Sequence, residues 1–194
     1  LDLVRAYDIL YHGMDLTQPS PTNPGRTLKE NIEAGLLLDY MFETFDIRNG
    51  RLNNLQNHEA DSVRGMLAVG LVLGNPEWIT WGINDVAGFL ENTIDRDGIY
   101  YETTYKYAHF AEQLFLSMAD MAYRYSPANY NSEGFPARAS FPFGANYYDH
   151  PKLQKFLVGR RARVDAAGFE PTIGDGSSNI GNNLASVLNP TPTP

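Results

Sequence analysis

The stretch NHEADSVRGMLAVGLVLG, residues 57–74, decides the fold. From Val63 to Leu73 apolar side chains fall on nearly every face at helical spacing, and Gly74 stands where a helix-ending residue belongs. A helix without a polar face has no side to give to water, so other helices must surround it. That predicts two layers, with this helix inside. Gly65 and Gly70 in its interior each cost about 1 kcal/mol relative to Ala, a cost that fits close approach of a neighbouring helix better than a ligand resting on the backbone.

Working outward, Leu3 to Tyr11 has apolar residues at Leu3, Val4, Ala6, Tyr7, Leu10 and Tyr11, which predicts a first helix. Pro19, Pro21 and Pro24 make Gln18–Gly25 a loop. Thr27-Leu28-Lys29-Glu30 has the form of a capping box, and Ile32, Leu36, Leu37, Tyr40, Met41 and Phe45 supply the stripe of the helix that follows, with Asn49-Gly50 closing it. Asn75-Pro76 reads as N-cap and first position of a helix running through Trp78, Trp81, Ile83, Val86, Phe89 and Leu90. Asp97-Gly98 is a tight turn, Ile99-Tyr100-Tyr101 a strand-like link, and Tyr107 to Tyr125 a fifth helix. After Pro127 the texture turns to Pro, Gly, Asn and aromatic residues, with Lys152–Val158 helical and a Pro-Thr tail. Short connections favour antiparallel neighbours, so the fold class is all-α, an α/α hairpin array with an irregular Pro/Gly-rich C-terminal segment.

The chain has 194 residues, room for one sizeable core. Fifteen Lys and Arg against 23 Asp and Glu leave a net charge of −8, which argues against a nucleic-acid binder that covers phosphates with cations. The absence of cysteine removes disulfides, thiolate nucleophiles and Cys-ligated zinc. No stretch is long and apolar enough to be read as a membrane span. The chain starts at Leu1, which reads as a processed or cut end.

Two segments carry candidate chemistry. Asn57-His58-Glu59 opens the buried helix, where free N–H groups and the helix dipole favour an anion. Gripping a carboxylate is one reading; an ordinary helix start, with Asn as cap and Glu59 and Asp61 in the first turn, is the other. The second segment, Asp97 to His109, gathers four tyrosines, Glu102, Lys106 and His109 at the entrance of a helix. A tyrosine acting as base needs a nearby cation, because it ordinarily titrates near pH 10. Tyr105 and Tyr107 cannot share a face, and spacing does not say which points inward.

Asn57-His58-Glu59 followed by Gly65-Met66-Leu67, then Asp97-Gly98, then Glu102-Thr103-Thr104-x-x-Tyr107, resembles the heparinase II/III-like polysaccharide lyases, which include alginate and heparin lyases. Ala6-Tyr7-Asp8-Ile9-Leu10 and Pro171-Thr172-Ile173-Gly174-Asp175 are similar to flanking pieces of that family. The resemblance implies part of an incomplete (α/α) toroid over residues 1–176, a linker or frayed tail over 177–194, and the family's β-sandwich domain and the rest of the toroid missing as partners. It implies β-elimination next to a uronic acid in an acidic polysaccharide, with no catalytic metal or other cofactor, in the periplasm or outside the cell. Asn57 and His58 would neutralise the uronate carboxylate and Tyr107 would move the proton. Glu59, Arg64, Glu102, Tyr105, His109 and Trp81 are the expected substrate-binding residues, Trp81 as a stacking platform with Trp78. The family often has His where Ala108 stands. Two competing expectations are a glycoside hydrolase using a pair among Glu59, Asp61, Glu102 and Asp175, and a non-catalytic helical module that binds a glycan or protein.

Overall fold

The computed structural model describes residues 1–43, 57–102, 104–123, 125 and 146–162. It is helical, as the periodicity predicts. Helix α1 spans Asp2–Gly13. Helix α2 starts at Leu28–Ile32, runs as a π-helix through Glu33–Leu38 and resumes as α-helix over 39–43. Helix α3 is Asn57–Leu73, α4 Pro76–Thr93, α5 Tyr105–Ala122 and α6 Pro151–Ala162, the last preceded by a 3-10 turn at Tyr147–Asp149. Among the described residues no helix is long and apolar enough to cross a membrane.

Three of the predicted ends form for the predicted reasons. Glu30 N–H donates to the Thr27 hydroxyl oxygen at 3.1 Å, and Thr27 N–H donates to the Glu30 carboxylate at 2.8 Å, completing the capping box. The Asn75 side chain accepts from the N–H groups of Glu77 and Trp78, both at 3.1 Å. Gly74 holds φ at +65°, a left-handed value that lets α3 turn into α4.

Helix α3 is the inner helix. Ala60, Val63 and Leu67 are buried with α4 and α5 in one apolar cluster. Met66, Ala68 and Val69 are buried with Val4 and Tyr7 of α1 and Leu37 and Met41 of α2 in a second. The glycines permit this crowding. A Cβ on Gly70 would lie 3.0 Å from Ile79 N and 3.1 Å from Trp78 Cβ, so the start of α4 rests on the α3 backbone. Gly82 reciprocates on α4, where a Cβ would meet Leu67 Cβ at 2.8 Å and Leu67 Cα at 3.1 Å.

Two stripes are narrower than their spacing predicts. On α1 only Val4 and Tyr7 are buried, while Leu3, Leu10 and Tyr11 stay exposed, because α1 meets its neighbours along one line rather than a broad face. On α2 the π-helical turns advance the register, burying Leu37 and Met41 and leaving Leu36 and Tyr40 outside. The Tyr7 hydroxyl ties α1 to α2 by donating to Glu33 at 2.6 Å.

The described end of the Ser140–Tyr148 loop tucks inward. Tyr147 is buried with its hydroxyl donating to the Ile83 carbonyl, and Tyr148 donates to Asp120. The rest of that loop, Asn49-Gly50 and the segment beyond 162 lie outside the described residues.

Two glycines on α4 should behave oppositely. Gly82→Ala drives a methyl into the Leu67 backbone and should destabilise by about 1–3 kcal/mol. Gly88→Ala meets nothing within 4 Å and should stabilise by up to about 1 kcal/mol. Denaturant unfolding of both variants checks this; equal effects would mean that α3 and α4 do not pack at Gly82.

Candidate active site

The N-terminal ends of α3 and α5 lie at the same end of the molecule, with α4 running back between them. Glu102, just ahead of α5, feels the charges of both His58 and Glu59 on α3. At the other end, Ala68 and Val72 of α3 share a groove of about 470 Å³ with Leu116 and Met121 of α5 and Val4 of α1. The two helices are therefore parallel. Their paired N-termini direct free N–H groups and positive dipole ends toward one region.

Asn57 is the first residue of α3 and is 9 % exposed, as is Glu59, whereas His58 between them is exposed. Glu59 Oε2 is buried without a hydrogen-bond partner among the described residues. Asn57 and Glu59 thus belong to the inside of this end and His58 to its open side. Arg64 is committed locally, its guanidinium 2.5 Å from Asp61 one turn earlier on α3.

Glu102 is brought to α3 by a turn built for the purpose. The Asp95 carboxylate accepts from the N–H groups of Asp97 and Ile99 at 2.8 and 2.7 Å, and Gly98 takes φ +78°. The expected strand-like link is a single bridge between Ile94 and Tyr100, with Tyr101 N–H donating to Thr93 O at 2.9 Å. Helix α6 braces this turn from outside. Lys152 Nζ donates to the carbonyls of Glu91 and Ile94, Lys155 Nζ donates to Arg96 O, and a Cβ on Gly98 would lie 2.6 Å from Lys155 C. Buried His150 stands 3.2 Å from Glu91 and accepts from Lys152 N–H through Nδ1. Inside, Tyr100 packs on Phe115 and Phe156 with ring centroids 6.4 Å away in each case.

The phenols of Tyr100 and Tyr101 lie near the Glu102 carboxyl, and Glu102 Oε2 is buried without a hydrogen-bond partner among the described residues. Burial raises the Glu102 carboxyl above its ordinary range, and Glu59 adds to the shift; the two phenols and His58 oppose it. Burial likewise pushes the Tyr100 and Tyr101 phenols up, so neither is poised to give up its proton.

Helix α5 begins with a Thr104 cap whose hydroxyl oxygen accepts from Tyr107 N–H at 3.2 Å. Tyr107 is half-buried and packs against the cluster shared by α3, α4 and α5. Of the two tyrosines that spacing leaves open, Tyr107 turns inward, and the Tyr105 side chain lies outside what is described. His109 pairs with Gln113 on the same helix at 3.2 Å. Trp81, like Trp78, packs on the second cluster, alongside the C-terminal half of α3 and more than two helical turns from Asn57. It is not at this end, because the antiparallel α4 carries it away. Asn57, His58, Glu59, Glu102 and Tyr107 are thus grouped at one end, and Trp81 is not. Among the described residues no group of three or more His, Asp and Glu side chains is gathered as a metal ion would require.

Spacing misses one neighbour of this surface. Tyr40 of α2 lies over Gly65 of α3, where a Cβ would stand 2.8 Å from Tyr40 Cζ. The glycine was the signal, but it does not name its occupant.

The family model described as alginate lyase matches residues 7–147, most of the chain and all of α3, α4 and α5. No curated protein and no solved structure matches.

The Glu102 environment has a measurable consequence. With its folded pKa raised above the ordinary 4.5, the folded chain holds this proton more tightly than the unfolded chain. The stabilisation is complete below about pH 4.5 and is lost as pH rises through the folded value. Glu102→Gln removes that titration, so the variant should gain stability relative to the parent as pH rises above about 4.5. A pH-independent difference in unfolding free energy would show that Glu102 is not held in its neutral form by burial.

Proposed function

Because the chain belongs to the alginate lyase family, we propose that it is a polysaccharide lyase that cleaves a uronic-acid polymer by β-elimination at the paired N-termini of α3 and α5. The observation that carries this reading is the grouping of Asn57 and His58 at one helix start with inward-turned Tyr107 at the other. In this proposal the Asn57 amide and the His58 imidazole meet the uronate carboxylate, so that charge developing on it as the C5 proton leaves is taken up by fixed donors. Tyr107 takes the C5 proton. The C4–O bond breaks, a C4–C5 double bond forms, and the proton returns to the leaving oxygen. The acidic body of the chain repels a polyanion, so attraction rests on these few donors and on the helix ends. A polymer of this kind places the work in the periplasm or outside the cell.

One observation favours a second reading. Glu59 and Glu102 are paired carboxyl groups in one neighbourhood, with Glu102 raised toward its acid form, as a glycoside hydrolase would use them. The products decide. Elimination leaves an unsaturated sugar that absorbs in the ultraviolet, and hydrolysis leaves a reducing end with no new absorbance.

On a panel of uronate polymers, headed by alginate, the parent chain should generate ultraviolet-absorbing product. Tyr107→Phe should lower kcat by about 100-fold or more without shifting the melting temperature. Undiminished turnover in Tyr107→Phe would remove Tyr107 from the reaction, and reducing ends without absorbance would replace elimination by hydrolysis.

A further inference from the structure

Two carboxyl groups meet in the seam between the start of α3 and the entrance of α5. Glu59 belongs to the first turn of α3 and is 9 % exposed, and Glu102 ends the braced turn just ahead of α5. Each has its Oε2 buried without a hydrogen-bond partner among the described residues. The charge of Glu59 acts on Glu102, Tyr100 and Tyr101 together, so its carboxyl stands among these three groups.

The other polar groups around the seam are engaged elsewhere or lie outside it. Lys152 and Lys155 of α6 donate from outside the turn to the carbonyls of Glu91, Ile94 and Arg96, and the Asp95 carboxylate accepts from backbone N–H groups of the turn itself. On the side of α5, the Thr104 hydroxyl oxygen accepts from Tyr107 N–H, and Tyr107 packs on the apolar cluster. His58 acts on Glu102 with the opposite sign, from the open side of α3.

Buried polar atoms need partners, and two carboxylates enclosed together cannot both stay ionised without a large cost. An ionised carboxylate only accepts, so a pair of them leaves both oxygens orphaned. A protonated carboxyl has one O–H to give. A single proton between Glu59 and Glu102 therefore satisfies both orphans at once.

We infer that Glu102 carries a proton which it donates to Glu59 Oε2, and that this carboxyl pair is a positioning pair for the uronate site, fastening the first turn of α3 to the entrance of α5. The two oxygens lie inside the seam, so the pair acts through Asn57 and His58, which it holds in a fixed place relative to Tyr107. It also sets one negative charge, and not two, behind the imidazole that meets the uronate carboxylate. In a chain of net charge −8 a second charge at this point is the one that an anionic sugar feels most, because it is the nearest. When Glu102 loses its proton, the hydrogen bond becomes a repulsion and the grip on the anion weakens. The role in binding rests on the proposed uronate site, whereas the shared proton is a property of the chain alone.

Glu102→Gln keeps a donor for Glu59 and removes the titration. Infrared difference spectra of the full chain in D2O, parent against Glu102→Gln, should show the band of a protonated carboxyl persisting above about pH 5, where ordinary carboxyls have ionised. Glu59→Gln still offers an accepting oxygen and should keep that band. Calorimetric binding of alginate oligosaccharides to the Tyr107→Phe chain should weaken about three- to tenfold more between about pH 5 and about pH 8 than binding to the same chain carrying Glu102→Gln. Any titration of His58 is common to both chains, so the difference reads Glu102. A band that fades with the ordinary carboxyls would overturn the pair, and unsaturated product from the parent would then leave elimination standing. A persistent band with identical pH dependence of binding in the two chains would overturn the positioning role. A persistent band with the expected binding difference, in a chain whose parent yields no unsaturated product, would support the pair and overturn elimination. A parent that binds none of these oligosaccharides would overturn the positioning role together with the uronate site.

Discussion

A helix with no face for water must be enclosed, and α3 is such a helix. Two clusters bury Val63 and Leu67 against α4 and α5, and Met66 and Val69 against α1 and α2. Enclosure on this scale needs short distances between axes, and the glycines supply them. Gly70 receives the first turn of α4, Gly82 returns the contact at Leu67, and Gly65 receives Tyr40. An enclosed helix has only its ends free. Chemistry on α3 is therefore confined to its N-terminal turn and to the seams between its neighbours.

The second constraint holds the partner segment against that end. Tyr100, buried among Phe115 and Phe156, pins the short turn after α4 from inside, while Lys152 and Lys155 of α6 cap its carbonyls from outside. Glu102 and the start of α5 follow within a few residues, so their positions are inherited from the turn. The braced turn from α4 into α5 sets the start of α5 beside that of the parallel α3, which makes two separate helix starts one concentration of N–H groups. In an acidic chain this matters, because local donors must overcome the global charge.

Much of this was legible in the residue order. The capping box at Thr27, the Asn75-Pro76 start, the Gly74 stop and the all-round apolarity of 63–73 are local signals, and each carries its own physical cause. The grouping of Asn57, His58, Glu102 and Tyr107 entered as the expectation of a resemblance. What was not legible depends on partners distant in sequence. A period of 3.6 residues makes Leu36 and Tyr40 part of a buried stripe, and only the π-helical turns show them outside. Trp81 has the type and spacing of a sugar platform, yet the direction of α4 carries it to the far half of α3.

By itself the sequence determined a helical fold class, the identity of its inner helix, the residues that start α2 and α4 and stop α3, and the acidic balance of the chain. These are properties of neighbours along the chain. Only the tertiary structure decided that α3 and α5 are parallel with their starts together, that Tyr107 turns inward, that Arg64 pairs with Asp61, and that Tyr40 lies on Gly65. The reason is one of reach: a cap or a stripe is settled within a few residues, whereas the content of a site depends on which helices are brought side by side.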